Sequence, residues 1–349
     1  MDRVPDYEFG YWTETMDRWH REGLPLEKKT NRDIEIYLGL EGWDCGEWLP
    51  IRSGLWPTLP ERIIEEKGNR AIMDDGMGGI YIRPTDTSSV PHYTRHPLKN
   101  REDWEKLKPF FNPDVPGRFP LNWDEVAESY KERDYPLGIS VGSLYGWLRN
   151  WMGVRNISIA FYRDPDWVAE MMDTLTELWI RIMDKALRLV KVDFASWWED
   201  MCYNMGPLLS VDHFEEFMVP RYKKVTDRLK DYGVNINVLD CDGRIHELVP
   251  GWLRGGINCM FPLEARHTDI YELREKFGKK VLLLGGVNKL ALMNGKDAID
   301  AELKRLTPLL GQGGYVLTVD HRVPPEVSFE NYRYYLKKKR EWIGRTDIA

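Results

Sequence analysis

The sequence predicts an α/β protein whose main body is a (β/α)8 TIM barrel carrying an irregular N-terminal α/β extension or cap. From about Tyr135 onward, short β-rich runs alternate with long amphipathic segments, the rhythm of repeated strand and helix units on a parallel sheet. An open dinucleotide-binding sheet would want G-x-G-x-x-G after an early strand; the chain has none, which favours the closed form. With 349 residues, 42% of them hydrophobic, the chain can bury one barrel-sized core with an extension, or two modest domains.

Residues 1–110 lack the strand and helix rhythm and read as the extension, packed on a barrel of residues 111–349. "TNRDIEIYLGLEGW" offers a short strand-like or helical core. "ERIIEEKGNRAIMDDGMGGIYIRPTDTSSVPHYTRH" alternates apolar residues with Gly, Asp and Asn turn signals, which predicts a β-meander. The barrel strands expected after it are "LGISVG", "VDFASWW", "INVLD", "GINCMF", "KVLLLGG" and "GYVLTVD". Helices are expected between them. Asp166 to Leu189 is long and amphipathic. Ser210 caps "VDHFEEFMVPRYKKVTDRLKDYG", in which Phe214, Phe217, Met218 and Leu229 share an apolar stripe and Gly233 supplies the stop. Ala298 to Leu310 and Phe329 to Trp342 repeat the pattern, with Ser328 capping the last.

A formal net charge of -7, a pI of 5.7, and no Lys/Arg block longer than "KKKR" (Lys337 to Arg340) argue against nucleic acid as a partner. "MDRVPDYEFGYW" has no apolar core, so no secretory signal is expected, and no apolar run approaches the roughly 20 residues that span a bilayer. A cytoplasmic protein is the expectation, with a homodimer allowed. Cys45, Cys202, Cys241 and Cys259 are scattered without a C-x-x-C pair and read as free thiols. The fifteen tryptophans are expected mainly in packing.

In a barrel, chemistry sits where strands end. Here those ends are acidic. Glu199 and Asp200 follow one run, Asp240 and Asp242 the next, then Glu264 with Arg266 and His267; Asn288 and Lys289 follow "LLLGGV", and Asp320 and His321 follow "YVLTV". Exposure or helix capping explains any one of them; it does not explain so many carboxylates and so few Ser, Thr or Lys. Asp240 and Asp242 are two apart, so on an extended chain they point the same way and Cys241 points opposite. The same alternation puts Asn235 and Asn237 on the Cys241 face, toward the helix layer, where a polar group needs a partner. A bulge near Leu239 would relieve this. Two adjacent carboxylates need a cation, a shared proton or ligand N–H donors. Asp240, Asp242 and His321 could hold a divalent ion, with Glu264 or water completing the shell, and nitrogen and oxygen ligation does not select zinc over manganese or iron. His20, His92 and His96 lie in the extension, and His213 and His246 read as exposed helical residues.

The stretches "DFASWWEDMCYNMGPLLSVDHFEEFMVPRYKKV", "DCDGRIHELVPGWLRGGINCMFPLEA", "LLLGGVNK" and "GGYVLTVDHRVPPEVSFENYRYYL" resemble the uroporphyrinogen decarboxylase superfamily. The likeness spans roughly residues 135 to 345. That superfamily has a (β/α)8 barrel and contains both haem-pathway decarboxylases and cobalamin-dependent methyltransferases. The N-terminus, "DYEFGYWTETMDRWHREGLP", lacks the arginine-rich "RQAGR" type of motif that would partner substrate carboxylates, so the resemblance is closer in character to the methyltransferase branch. That branch binds zinc through a His-x-Cys pair and a distal Cys before "PP". In this chain Asp240 stands at the His position, Asp242 at the Cys position, and His321 at the distal Cys.

The resemblance therefore implies metal-dependent methyl transfer between a corrinoid or corrinoid protein and a small molecule. Asp240, Asp242 and His321 would be the ligands, with zinc first among the candidate ions. Glu199 and Asp200 would orient substrate or accept protons, and Glu264, Arg266, Asn288, Lys289 and Asp320 would bind it. The alternatives are a metal-free decarboxylase or lyase, and a non-catalytic tetrapyrrole-binding protein with the aromatic cap as its stacking surface.

Overall fold

The computed structural model describes residues 4–41, 47–84 and 92–345. Its strands, in chain order, are β1 (Glu47–Trp48), β2 (Arg62–Lys67), β3 (Arg70–Asp74), β4 (Ile80–Pro84), β5 (His92–Arg95), β6 (Leu137–Gly142), β7 (Phe194–Trp198), β8 (Cys202–Tyr203), β9 (Gly206–Pro207), β10 (Asn237–Asp240), β11 (Cys259–Leu263), β12 (Leu282–Val287) and β13 (Tyr315–Val319). Seven form one parallel sheet in the order β1-β6-β7-β10-β11-β12-β13. All six runs expected from the sequence are among them. The meander forms a separate antiparallel sheet, β2-β3-β4-β5; its residues 85–91 lie outside the described residues.

Alternation along the parallel strands divides their apolar side chains into two cores. Leu137, Ile139, Trp197, Leu239, Met260, Leu283 and Leu317 face the helices. Phe194, Val238, Cys259, Phe261 and Leu284 form a second, inner cluster with Trp48, Leu282 and Val316 packed against it. Trp48 and Val316 belong to β1 and β13, the opposite edges of the sheet order, so their shared cluster means the sheet has curled shut into a barrel. Gly138 makes room inside: a Cβ there would lie 2.4 Å from the Phe194 ring and 2.9 Å from that of Trp48.

The seam between β13 and β1 is filled by the N-terminal segment. Tyr7 and Phe9 join the inner cluster, while Asp6 and Glu8 point outward to the helix Phe329–Ile343. Glu8 Oε2 accepts the Val319 N–H, Gly10 C=O accepts that of Val323, and Asp6 C=O accepts that of Glu41. The barrel thus draws residues 4–11 and β1 from the region expected to be an extension packed on it. Half of "KKKR" is buried. Lys339 is fully buried between Glu8 (2.8 Å) and Asp6 (3.1 Å), and Arg340 Nε holds Asp6 at 2.7 Å.

The helices follow the expected pattern. Pro165–Leu187 buries Val168, Met171, Met172, Leu175, Trp179, Ile182 and Met183, a stripe spaced for a 3.6-residue period. Ser210 and Ser328 cap their helices by accepting the N–H of His213 and Asn331. The segment after Ser210 contains a π-helical turn, Phe214–Met218, before Val219–Asp231. Arg244 does not open a helix; the next one is Val249–Arg254. Cys202, Cys241 and Cys259 are free and buried, and Cys45 lies outside the described residues. Among the described residues no helix is long and apolar enough to cross a membrane.

Candidate active site

Val238 faces the barrel interior, so Asp240, two residues on, faces it at the open end, and Cys241 faces the helix layer. Burial pushes the Cys241 thiol well above its usual range, and its sulfur accepts the Met201 N–H at 3.4 Å. It is a packing residue. No bulge interrupts β10. The difficulty at Asn237 is met by hydrogen bonds instead: its Oδ1 accepts the indole N–H of Trp197 at 3.2 Å, and its backbone N–H donates to Asn258. Asn235 is exposed. Above the apolar plug the inward-facing positions are Ser140, which is exposed, and Ser196, Trp198 and Asp240, which are half-buried, so the mouth is open to solvent.

At this mouth Asp242 and His321 come together, with Asp242 Oδ2 3.6 Å from His321 Nε2. That is too long for a hydrogen bond. Asp242 Oδ1 is itself buried without a partner. Gly243 makes the turn that aims Asp242: its φ is 82°, and a Cβ would sit 2.8 Å from the Tyr203 carbonyl oxygen. His321 is held by rings from the N-terminal segment. Trp12 stacks on it at 5.7 Å and 22°, and Phe9, edge-on to Phe261, meets it at 5.6 Å. A metal needs more convergence. Among the described residues no three His, Cys, Asp or Glu side chains are gathered closely enough to hold an ion. The donor set expected from Asp240, Asp242 and His321 is therefore present as a pair, Asp242 and His321, and does not fit a three-ligand site.

The two expected catalytic carboxylates part company. Glu199 follows the inward-facing Trp198, so it points out of the barrel. It is fully buried, taking Ser143 Oγ at 3.0 Å and the N–H groups of Leu144 and Tyr145 at 2.9 and 2.8 Å at the start of the helix Tyr145–Met152. Burial pushes its pKa up against those donors. It serves the helix rather than the mouth. Asp200 is the one described non-glycine residue with positive φ, 45°. This costly conformation turns its carboxylate toward Arg149 Nη1, at 2.9 Å, beside the Trp198 ring.

The expected substrate-binding residues divide in the same way. Glu264 accepts the Gly243 N–H at 2.8 Å and lies 3.4 Å from Lys289 Nζ at the mouth. Asp320, 2% exposed, clamps two loops by accepting the N–H groups of Ala265 (3.1 Å) and Lys289 (3.0 Å). Burial raises its pKa, with Lys289 opposing. Arg266 and Asn288 line a separate pocket, where Asn288 also caps Lys289–Met293. Sequence reasoning missed Arg149, Phe9 and Trp12. Only the last two carried a signal, the alternation in "DYEF" and the aromatics after it.

The family model for uroporphyrinogen decarboxylase (URO-D) matches residues 73–342. A uroporphyrinogen decarboxylase of Serratia proteamaculans (strain 568) is 25% identical over 292 residues, covering 78% of this chain and 76% of that protein. One of Phenylobacterium zucineum (strain HLK1) is 23% identical over 182 residues, covering 49% and 48%. Among solved structures, a methyltransferase from Methanosarcina mazei matches with a TM-score of 0.59 at 17% identity, over 98% of this chain and 95% of that one. At that identity the likeness concerns the fold.

Proposed function

Because the chain belongs to the uroporphyrinogen decarboxylase family, we propose that it is an enzyme acting at the barrel mouth on a small neutral or cationic molecule. The reaction is transfer of a methyl group to or from a corrinoid, rather than porphyrinogen decarboxylation. The observation that carries this is the pairing of cations at the mouth. Arg149 is engaged by Asp200 and Lys289 by Glu264, while Arg322 lies over the Phe9 ring at 5.1 Å. Asp240 and Asp242 add further negative charge. A porphyrinogen bearing many carboxylates needs the opposite arrangement. Exposed apolar side chains support contact with a flat macrocycle: Trp12, Tyr203 and Met205 are 36%, 65% and 86% exposed.

The corrinoid, when bound, supplies or takes up the methyl group. The chain's own residues handle the proton. An acceptor X–H bound beside Asp242 and His321 donates to His321 Nε2, in the tautomer protonated at Nδ1. The freed electron pair on X is then the nucleophile, and the Asp242 carboxylate stabilises the imidazolium formed beside it. Trp12 and Phe9 fix the ring.

Anaerobic incubation with methylcobalamin and a panel of thiols, amines and alcohols, followed by the visible spectrum, tests the reading. Asp242→Asn and His321→Gln should each slow demethylation by about 10²-fold or more. Conversion of uroporphyrinogen by the wild type, or variants that keep the full rate, would overturn it. Elemental analysis of protein purified without added metal should find no stoichiometric ion; one that Asp242→Ala removes would replace the proton-handling pair with a metal site.

A further inference from the structure

Asp242 and His321 follow strands that are not neighbours: β11 and β12 lie between β10 and β13 in the sheet. At 3.6 Å the two side chains are not hydrogen-bonded to each other, so their spacing is set by whatever holds each backbone. One short turn holds both. In residues 264–268, after β11, the Glu264 C=O accepts the N–H groups of His267 and Thr268, each at 2.9 Å, and the Glu264 and Thr268 side chains reach the same target.

That target is Gly243, which has no side chain to anchor. Both of its backbone groups are gripped from the turn: Glu264 Oε2 accepts the N–H at 2.8 Å, and Thr268 Oγ1 donates to the C=O at 2.8 Å. Thr268 Oγ1 also accepts the Ile245 N–H at 3.4 Å. Thr268 is 2% exposed, so water does not replace these contacts when the hydroxyl is lost. The chain on either side is fixed as well. The Cys241 N–H donates to the Phe261 C=O at 2.7 Å, and the Arg244 N–H to the Tyr203 C=O at 3.0 Å. His246, expected from the sequence to be exposed and helical, is in no helix, and its side chain is 12% accessible. The other side of the turn reaches His321. The buried Asp320 carboxylate accepts the Ala265 N–H at 3.1 Å, which ties the residue before His321 to the residue after Glu264.

We propose that the turn 264–268 sets the spacing of Asp242 and His321, with Thr268, Glu264 and Asp320 as positioning residues. The proposal rests on the reading of that pair as the proton-handling groups. It moves Glu264 and Asp320, expected from the sequence to bind substrate, to the support of the pair. Thr268 carries no local signal of such a role, since its partner lies 25 positions earlier in the chain.

Crystal structures of the full-length protein and of its Thr268→Val and Thr268→Ser variants test the spacing without reference to activity. Valine keeps the volume but leaves the Gly243 C=O without its donor, so the Asp242 carboxylate should move from His321 by about 1 Å, a misplacement that can cost an enzyme about 10²-fold. Serine keeps the hydroxyl and should keep the spacing. Glu264→Ala, at a side chain that reaches solvent, should show the same shift, and reads it where Thr268→Val does not fold. In the methylcobalamin assay Thr268→Val should lower kcat by about tenfold or more, with Thr268→Ser close to wild type. In an Asp242→Asn background the same change should cost less than about twofold, because Thr268 acts through Asp242. A purely structural role would slow both backgrounds equally. Unchanged spacing in Glu264→Ala or in folded Thr268→Val, a Thr268→Ser variant as slow as Thr268→Val, or equal losses in both backgrounds would each overturn the proposal. A wild type that transfers no methyl group would overturn the reaction proposed for the mouth, and the spacings would still decide the role of the turn.

Discussion

Replacing Lys339 with methionine removes the ammonium that bridges Asp6 and Glu8 at the barrel seam. The methionine fills the lysine's space, so the loss is electrostatic. Asp6 keeps Arg340, but Glu8 is left fully buried with neutral donors, the Tyr335 hydroxyl and the Val319 N–H. Breaking a buried pair by removing one partner costs about 3–5 kcal/mol. For a chain of 349 residues the unfolding entropy is about 0.7 kcal/mol per degree, so Tm should fall by about 4–7 °C.

The deficit has a pH signature. Burial already raises the Glu8 carboxyl above its usual value while Lys339 opposes, so the variant raises it further. A carboxyl whose folded pKa exceeds its unfolded one contributes fully below the unfolded value and loses that contribution as pH rises through the folded one. The gap from wild type should therefore widen between about pH 5 and about pH 8. Melting curves at the two pH values measure it, and Glu8→Gln with Lys339→Met should regain part of the loss. A Tm within about 1 °C of wild type at both pH values would refute the assignment of these charges as a buried network.

Other substitutions separate scaffold from chemistry. Glu199→Gln should cost about 1–3 kcal/mol by setting an amide NH2 against the helix N–H groups, yet leave KM for the methyl acceptor unchanged, because Glu199 faces away from the mouth. Gly138→Ala should shift the denaturant midpoint by about 1–3 kcal/mol of stability, since its methyl meets the Phe194 and Trp48 rings. A thiol reagent should leave Cys202, Cys241 and Cys259 unmodified in the native protein and reach them in denaturant, burial having pushed Cys259 to about 12.

The six barrel strands after residue 135 were legible because each is an apolar run bounded by turn residues. The helix caps at Ser210 and Ser328 were legible because their chemistry is local. β1 was not, because two residues carry no period. The seam was missed for a different reason: "DYEF" has the alternation of a strand, but its polar face answers Lys339 and Arg340, more than 300 positions away. Glu199 could have been placed by counting alternation one residue past Trp198. Arg149 sits in the middle of a helix with nothing nearby to distinguish it. The placement of Asp242 beside His321 depends on how β10 and β13 are arranged around a closed ring, which no local pattern encodes.

The seam also orders events in time. Residues 6–11 are among the first made, and their partners Val319, Tyr335, Lys339 and Arg340 among the last. At ribosomal rates of about 5–20 residues per second, the first strand position waits about 15–65 s for its neighbours. During that wait Tyr7 and Phe9 have no interior to enter, and an open edge persists at each end of the growing sheet. Ring closure is then a late, long-range step, and it is the step that delivers Phe9 and Trp12 to His321. A nascent or partly refolded chain can hold most of its helices and still lack the aromatic clamp on its imidazole, so recovery of activity should lag behind recovery of secondary structure.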